Sequence, residues 1–292
     1  MNGWMGVGIL VVGVFCIAGC ITAAPHVTYQ ITPLDRLSLS VPEPTIREEV
    51  LSQQEGITLS RVSFEHIDET VYLLLVVPES PRIAIVFAPG AGVKKEAHQA
   101  RAETFARSGI AMAVLDVRGN GGETAGTPLD IEGDLRRFTD GSWPQYYAIV
   151  ADMIATREFL ASRYAVPVYA MGSSNGGRYA AIAATADGKF SGYIGISTSG
   201  FGLAGNRYSG QTRKFLLSID PDHAIADISP RPVLLFHAPD DPILPYADGR
   251  ELFGRAQEPK EFRNLSTGHG LNGEADQEII EYLLNFNVPE RQ

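Results

Sequence analysis

Residues 169–181, Tyr-Ala-Met-Gly-Ser-Ser-Asn-Gly-Gly-Arg-Tyr-Ala-Ala, restrict what this chain can fold into more than any other stretch. A short apolar run, residues 166–171, enters a glycine turn, and an alanine-rich run follows from Arg178. An apolar run bounded by a turn reads as a buried strand, and the run after it is built of good helix formers. Between them, Gly172 to Gly176 matches Gly-x-Ser-x-Gly with Ser174 at its centre. A serine at such a strand-to-helix turn is held in a strained backbone conformation, with its oxygen exposed at the end of the sheet. Strand and helix pass close together there, so the flanking residues must be small; Gly172, Gly176, Gly177 and Ala180 meet that demand. Ser174 is therefore a candidate nucleophile. The competing reading of the motif alone is a Gly/Ser loop, and the rest of the chain must decide.

The remainder alternates strand and helix patterns. Residues 58–64 and 71–77 read as a hairpin turning at 66–69, and residues 83–88, 110–115, 192–197 and 232–237 read as buried apolar strands. Helices are expected over 96–108, 143–164, 246–256 and 276–286, with a short strand at 261–265. This order predicts an α/β domain: a mainly parallel twisted sheet with helices on both faces. Sites in such sheets lie beyond the carboxyl ends of the strands.

The chemistry-bearing residues fall at such ends. A serine hydroxyl needs a base beside it and an acid to orient that base. His269 lies in a glycine-flanked loop, Ser266-Thr267-Gly268-His269-Gly270, after the last strand. His237 ends a strand and reads as packed or hydrogen-bonded, while His66, His98 and His223 read as surface. Asp240 and Asp241 both follow the 232–237 strand; Pro242 favours an extended residue at Asp241. Asp116 and Asp134 are rivals, although Asp116 precedes a glycine-rich turn that it is suited to brace.

Net charge is −10, so no basic footprint for nucleic acid exists. The two cysteines, Cys16 and Cys20, both sit in the apolar N-terminal run, leaving the body no disulfide framework and no thiol nucleophile. The chain has no His-Glu-x-x-His, no paired Cys-x-x-Cys and no Gly-Lys-Ser/Thr loop, so no metal or other cofactor is expected. Residues 1–25 carry no charged side chain and are long enough for a signal peptide or a membrane anchor. Ile17-Ala18-Gly19-Cys20 resembles a lipobox, which implies lipidation on Cys20; an uncleaved anchor and simple secretion are the alternatives. The expected location is extracytoplasmic and membrane-anchored. Residues 26–55, with Pro33, Pro42 and Pro44, read as a tether leading into the folded body.

Several motifs in one order carry a resemblance. Over residues 56 to 287 the chain resembles the α/β-hydrolase superfamily, whose members carry serine, acid and histidine in that chain order. Ser174, Asp241 and His269 follow it. Ala238-Pro239-Asp240-Asp241-Pro242-Ile243-Leu244-Pro245 is similar to the superfamily's acid segment and aligns Asp241 with the acid, Asp240 being the alternate. Gly268-His269-Gly270 and the Asp-x-Arg-Gly-x-Gly turn at 116–121 match too. The resemblance implies an oxyanion hole from the N–H groups of Asn175 and Ala91, the latter in Pro89-Gly90-Ala91-Gly92, which lacks the superfamily's usual histidine. It also implies a small cap near 200–231, where Phe201, Leu203, Tyr208, Phe215 and Leu216 are candidates to line a lid. The expected activity is serine-dependent cleavage of carboxylic ester-type bonds in a small-molecule acyl substrate. A thioesterase, small-peptide hydrolase or acyltransferase using the same residues, and a catalytically silent binding protein on this fold, are the alternatives.

Overall fold

The computed structural model describes residues 26–266 and 268–285; the apolar N-terminal run with Cys20 lies outside the described residues. Among the described residues, no helix is long and apolar enough to cross a membrane.

The chain opens with a two-stranded antiparallel ribbon, β1 (Thr28–Ile31) and β2 (Leu37–Ser40). Three antiparallel strands follow: β3 (Arg47–Gln54), β4 (Ile57–His66) and β5 (Glu69–Pro78). The β4–β5 hairpin turns through Ile67 and Asp68, both at positive φ (46° and 63°). Two consecutive positive φ values match the right-handed twist of the flanking strands. The α/β part then runs β6 (Ile83–Ala88), α1 (Gln99–Arg107), β7 (Ile110–Leu115), α2 (Ile131–Thr139), α3 (Gln145–Tyr164), β8 (Val168–Ser173), α4 (Asn175–Ala186) and β9 (Tyr193–Ile196). Two short helices, α5 (Gly210–Ser218) and α6 (Pro221–Ala224), precede β10 (Val233–His237), α7 (Tyr246–Arg255), β11 (Lys260–Asn264) and α8 (Gly273–Asn285).

Among the described residues one nine-stranded sheet forms, in the order β11-β10-β9-β8-β6-β7-β5-β4-β3. From β11 to β7 every pairing is parallel, and from β7 to β3 every pairing is antiparallel. The chain leaves β6 toward β7 on one side and returns to β8 on the other. Strand order therefore reverses at β6/β8, and such a reversal opens a crevice beyond the carboxyl ends of those strands.

Alternation along the parallel strands divides the core in two. Ala84, Val86, Ala88, Ala111, Ala113 and Ala170 face α3 and α4, whereas Ile85, Phe87, Met112, Val114 and Met171 face α1 and α8. The α3/α4 side is the one with small residues, and α4 adds its own alanines there. Small side chains on both partners let a helix axis approach the sheet closely.

Four expectations need correction. The stretch expected as a tether is folded: β3 is the edge strand of the sheet, and the β1–β2 ribbon packs on the body. Tyr29 meets Trp143 and Tyr147 edge-on, with centroids 4.8 and 5.0 Å apart, Leu37 is buried, and Asp35 and Arg36 pair with Arg213 and Asp227. Prolines excluded a helix there but did not exclude short strands. Second, His66 and His98 are buried rather than surface residues. His66 Nδ1 lies 2.6 Å from Asp152, which also holds Arg118, and His98 Nδ1 accepts from Arg101. Polar neighbours in the sequence do not reveal that Asp152 reaches His66 from another element or that the Phe87 ring packs on His98. Third, Phe215 does not line a lid: it is buried against Phe138 and Tyr147, while Tyr208 is exposed. Fourth, helix α3 begins two residues later than expected, at Gln145, because Asp134 reaches over from α2 to accept the N–H groups of Gln145 (2.7 Å) and Tyr146 (2.9 Å). That capping role removes Asp134 from the list of candidate orienting acids.

Candidate active site

Four loops converge on the crevice: 89–93 after β6, Ser174 after β8, 238–245 after β10 and the 266–270 loop after β11. Parallel strands deliver all four to one edge of the sheet.

Ser174 has φ 55° and ψ −123°, a left-handed conformation that an L-residue adopts only at a cost. Its surroundings hold it there. Its N–H donates to Ile196 O (2.9 Å), and its carbonyl accepts from Gly177 N–H (3.0 Å) and the Thr198 hydroxyl (2.8 Å). The glycines around it have no room to be anything else. A Cβ on Gly172 would lie 2.2 Å from Gly176 O, and one on Gly176 would lie 1.9 Å from Ala88 O. Both distances are far inside van der Waals contact.

Asp241 has a side chain with no exposed surface. Its Oδ1 accepts the N–H groups of Ile243 (2.8 Å) and Leu244 (2.9 Å), and His269 Nδ1 lies 2.9 and 2.8 Å from its two oxygens. Burial by itself would raise its pKa, but the Leu244 N–H, the His269 side chain and the Ile243 N–H together hold the carboxyl below its usual value. An ionised carboxylate only accepts, so His269 must donate from Nδ1, which leaves Nε2 as a lone-pair base. Asp240 is exposed and, among the described residues, accepts only from Gly268 N–H, at 3.2 Å, so the structure brings His269 to Asp241 and not to Asp240. His237 is packed, as expected from its place at a strand end. It donates to Leu244 O (3.0 Å) and lies 3.3 Å from Asp241 Oδ2.

The loop carrying His269 is pinned toward the serine turn. Gly270 N–H donates to Ser197 Oγ (2.9 Å), and a Cβ on Gly270 would lie 3.3 Å from Ser173 Oγ. Ala91 lies between Gly90 and Gly92, and a Cβ on Gly90 would be 3.4 Å from Ser174 Cβ. The Asn175 N–H belongs to the first residue of α4, where helix geometry leaves it no partner within the helix. The Asn175 side chain accepts from Arg178 (2.7 Å), whose guanidinium also donates to Ser199 O and Oγ and covers the Phe201 ring at 4.7 Å. Asp116 braces its turn by accepting from Glu123 and Thr124 N–H.

Sequence reasoning did not single out Ser197, Thr198, Ser199 or Arg178. The first three form a polar run at the carboxyl end of an apolar strand, the signal used for the other site residues. Arg178 follows Ser174 by one helical turn. Among the described residues, no group of three or more His, Cys, Asp or Glu stands together to ligate a metal.

A family model described as serine aminopeptidase, S33, matches residues 79–219. No curated protein matches the chain. Among solved structures, acetyl xylan esterase 1 from a Thermoanaerobacterium species aligns with a TM-score of 0.69 and 16% identity, over 85% of this chain and 89% of that one. The acetyl xylan esterase of Paenibacillus sp. R4 also gives 0.69, at 19% identity over 83% and 89%. The glucuronoyl esterase of Solibacter usitatus gives 0.59, at 15% identity over 83% and 86%. Similarity at these identities establishes a shared fold. Together with the sheet order and the turn at Ser174, it shows the α/β-hydrolase fold.

Proposed function

We propose that the protein is a serine hydrolase that cleaves carboxylic ester-type bonds of a small acyl substrate through an acyl-enzyme. The observation that carries this reading is a strained, partly exposed Ser174 beside a loop whose histidine is hydrogen-bonded to a buried carboxylate. His269 Nε2 takes the Ser174 proton as Oγ attacks the carbonyl carbon, and the carbonyl π pair moves onto oxygen. Asp241 stabilises the imidazolium. The N–H groups of Asn175 and Ala91 hold the oxyanion. Collapse expels the alkoxide, which leaves with the proton from His269. Water then attacks the acyl group, giving its proton to His269, and Ser174 is regenerated with the free acid.

Solved esterases of the same fold support an ester as substrate. The aminopeptidase description of the matching family model favours a second reading, small-peptide hydrolysis by the same steps with an amine leaving. We further propose that residues 1–25 hold the protein at a membrane on the extracytoplasmic side, with lipidation at Cys20; the apolar run and its Ile-Ala-Gly-Cys sequence support this.

The test is hydrolysis of activated acyl esters of several chain lengths and of aminoacyl amides, with wild type beside Ser174→Ala. Ester turnover that vanishes in the variant, with folding unchanged, is the expected outcome. A folded wild type that neither turns over nor is labelled at Ser174 by a fluorophosphonate would refute the reading. Fatty-acid labelling of wild type beside Cys20→Ser checks the lipidation; a wild type that takes up no label would remove it.

A further inference from the structure

The turn at residues 116–121 connects directly to the loop beside Ser174. Asn120 Nδ2 donates to Gly90 O (2.9 Å) and Val93 O (3.0 Å), and its Oδ1 accepts from Gly92 N–H (3.1 Å). One planar amide thereby ties down both peptide groups that flank Ala91. The assignment of its oxygen and nitrogen follows from the partners: the reversed amide would face two carbonyls with its oxygen and an N–H with its nitrogen.

The Gly90 carbonyl and the Ala91 N–H belong to the same peptide unit. That unit is planar and trans, so its C=O and N–H point in opposite directions. Holding the carbonyl against Asn120 fixes the direction of the N–H. The carbonyl also accepts from Val93 N–H (3.2 Å), which polarises the unit and strengthens its N–H as a donor. Of the three N–H groups after Gly90, those of Gly92 and Val93 are engaged by Asn120 and by Gly90 O. The Ala91 N–H is the one left to serve the reaction.

Asn120 is itself held in place. Its N–H donates to Val117 O (3.0 Å), and its neighbour Gly119 sits at φ 82°, where an added Cβ would meet Thr127 O at 1.8 Å. Only glycine fits there.

We propose that Asn120 is a positioning residue that aims the Ala91 N–H at the developing oxyanion. The inference rests on the serine hydrolase reading given above. It assigns the turn at 116–121 a part in the reaction and selects Ala91 as the donor from its loop. Asparagine suits the task because it has two donors and an acceptor in one plane. Aspartate could keep the Gly92 bond but would set a negative charge against two carbonyls.

The experiment uses the full chain and four proteins: wild type, Asn120→Asp, Ala91→Pro and the double variant. Ala91→Pro deletes the N–H itself. Each single variant should lose about 100-fold in kcat on an activated ester, the scale of one oxyanion donor, with KM within about 3-fold of wild type. The inhibition constant of a trifluoromethyl ketone, which mimics the tetrahedral state, should rise by a similar factor. The double variant should be no slower than Ala91→Pro alone, because both changes remove one interaction. Multiplying losses in the double variant, or a loss carried by KM with ketone affinity unchanged, would overturn the proposal. If Asn120→Asp does not fold, Asn120→Ala takes its place in the cycle. Retention of kcat within about 3-fold in either folded variant overturns it equally. Failure of the hydrolase reading looks different: the wild type itself shows no turnover and no fluorophosphonate labelling, which overturns both.

Discussion

Replacing Gly176 with alanine tests the close approach on which the serine turn depends. An added Cβ would lie 1.9 Å from Ala88 O, 2.5 Å from Pro89 O and 2.6 Å from Ala88 C. All three are backbone atoms at the end of β6, so no side chain can rotate away. Reaching ordinary contact requires α4 and the end of β6 to part by roughly 1.5 Å. Overpacking of a tight core costs about 1–3 kcal/mol, and a backbone-on-backbone clash belongs at the upper end. At about 2–4 °C per kcal/mol for a domain of this size, the melting temperature should fall by about 6–12 °C. The same movement separates Ser174, on α4's side, from the 89–93 loop. A displacement of about 1 Å between reacting groups costs about 100-fold in rate, so kcat/KM should fall by at least that factor. Gly188→Ala is the control: Gly188 is exposed, and nothing lies within 4 Å of its added Cβ. Thermal unfolding by circular dichroism and an ester assay on both variants give the two readouts. A Gly176→Ala protein within about 0.5 kcal/mol of wild type, with unimpaired turnover, would refute the close-approach argument.

The two candidate acids should separate sharply. Asp241→Asn should lower kcat by about 1,000- to 10,000-fold, because its oxygen stays with the Ile243 and Leu244 N–H groups and its NH2 donor then faces His269 Nδ1, favouring the tautomer that carries the proton on Nε2, whereas Asp240→Asn should cost less than about 10-fold; steady-state kinetics on both variants decide it. Acid stability should report His98, whose pKa burial and the nearby Arg101 cation push down to about 4. The unfolded chain titrates near 6.5, so between these values the unfolded state binds the extra proton and the fold loses stability as pH falls. His98→Gln should flatten the melting temperature between pH 6.5 and 4, and an unchanged slope would assign that loss elsewhere.

The elements nearest Ser174 could be read from the sequence because they are local. An apolar run, two glycines four residues apart and an alanine-rich run describe a strand, a tight crossing and a helix without reference to the rest of the chain. The order of strands and helices likewise announced a mainly parallel sheet, since a parallel pair needs a crossover. The order of strands within the sheet did not follow, nor did the reversal at β6/β8 that makes the crevice.

Long-range contacts belonged to the tertiary structure. Asp240 and Asp241 are indistinguishable by composition; only the packing of the 238–245 loop turns Asp241 inward, where two backbone N–H groups and His269 meet it. Asn120 lies 30 positions from Gly90, and no periodicity connects them. His66 and His98 read as surface residues because their partners, Asp152 and Phe87, come from other elements. The ribbon at 28–40 has too few residues to bury a face alone, so it is ordered by Trp143, Tyr147 and the carboxylate and guanidinium pairs it meets on the body. Sequence by itself determined what each short segment is, because backbone sterics and apolar periodicity act within a few residues. Tertiary structure decided which polar groups face one another, because hydrogen bonds select partners by position and direction in space.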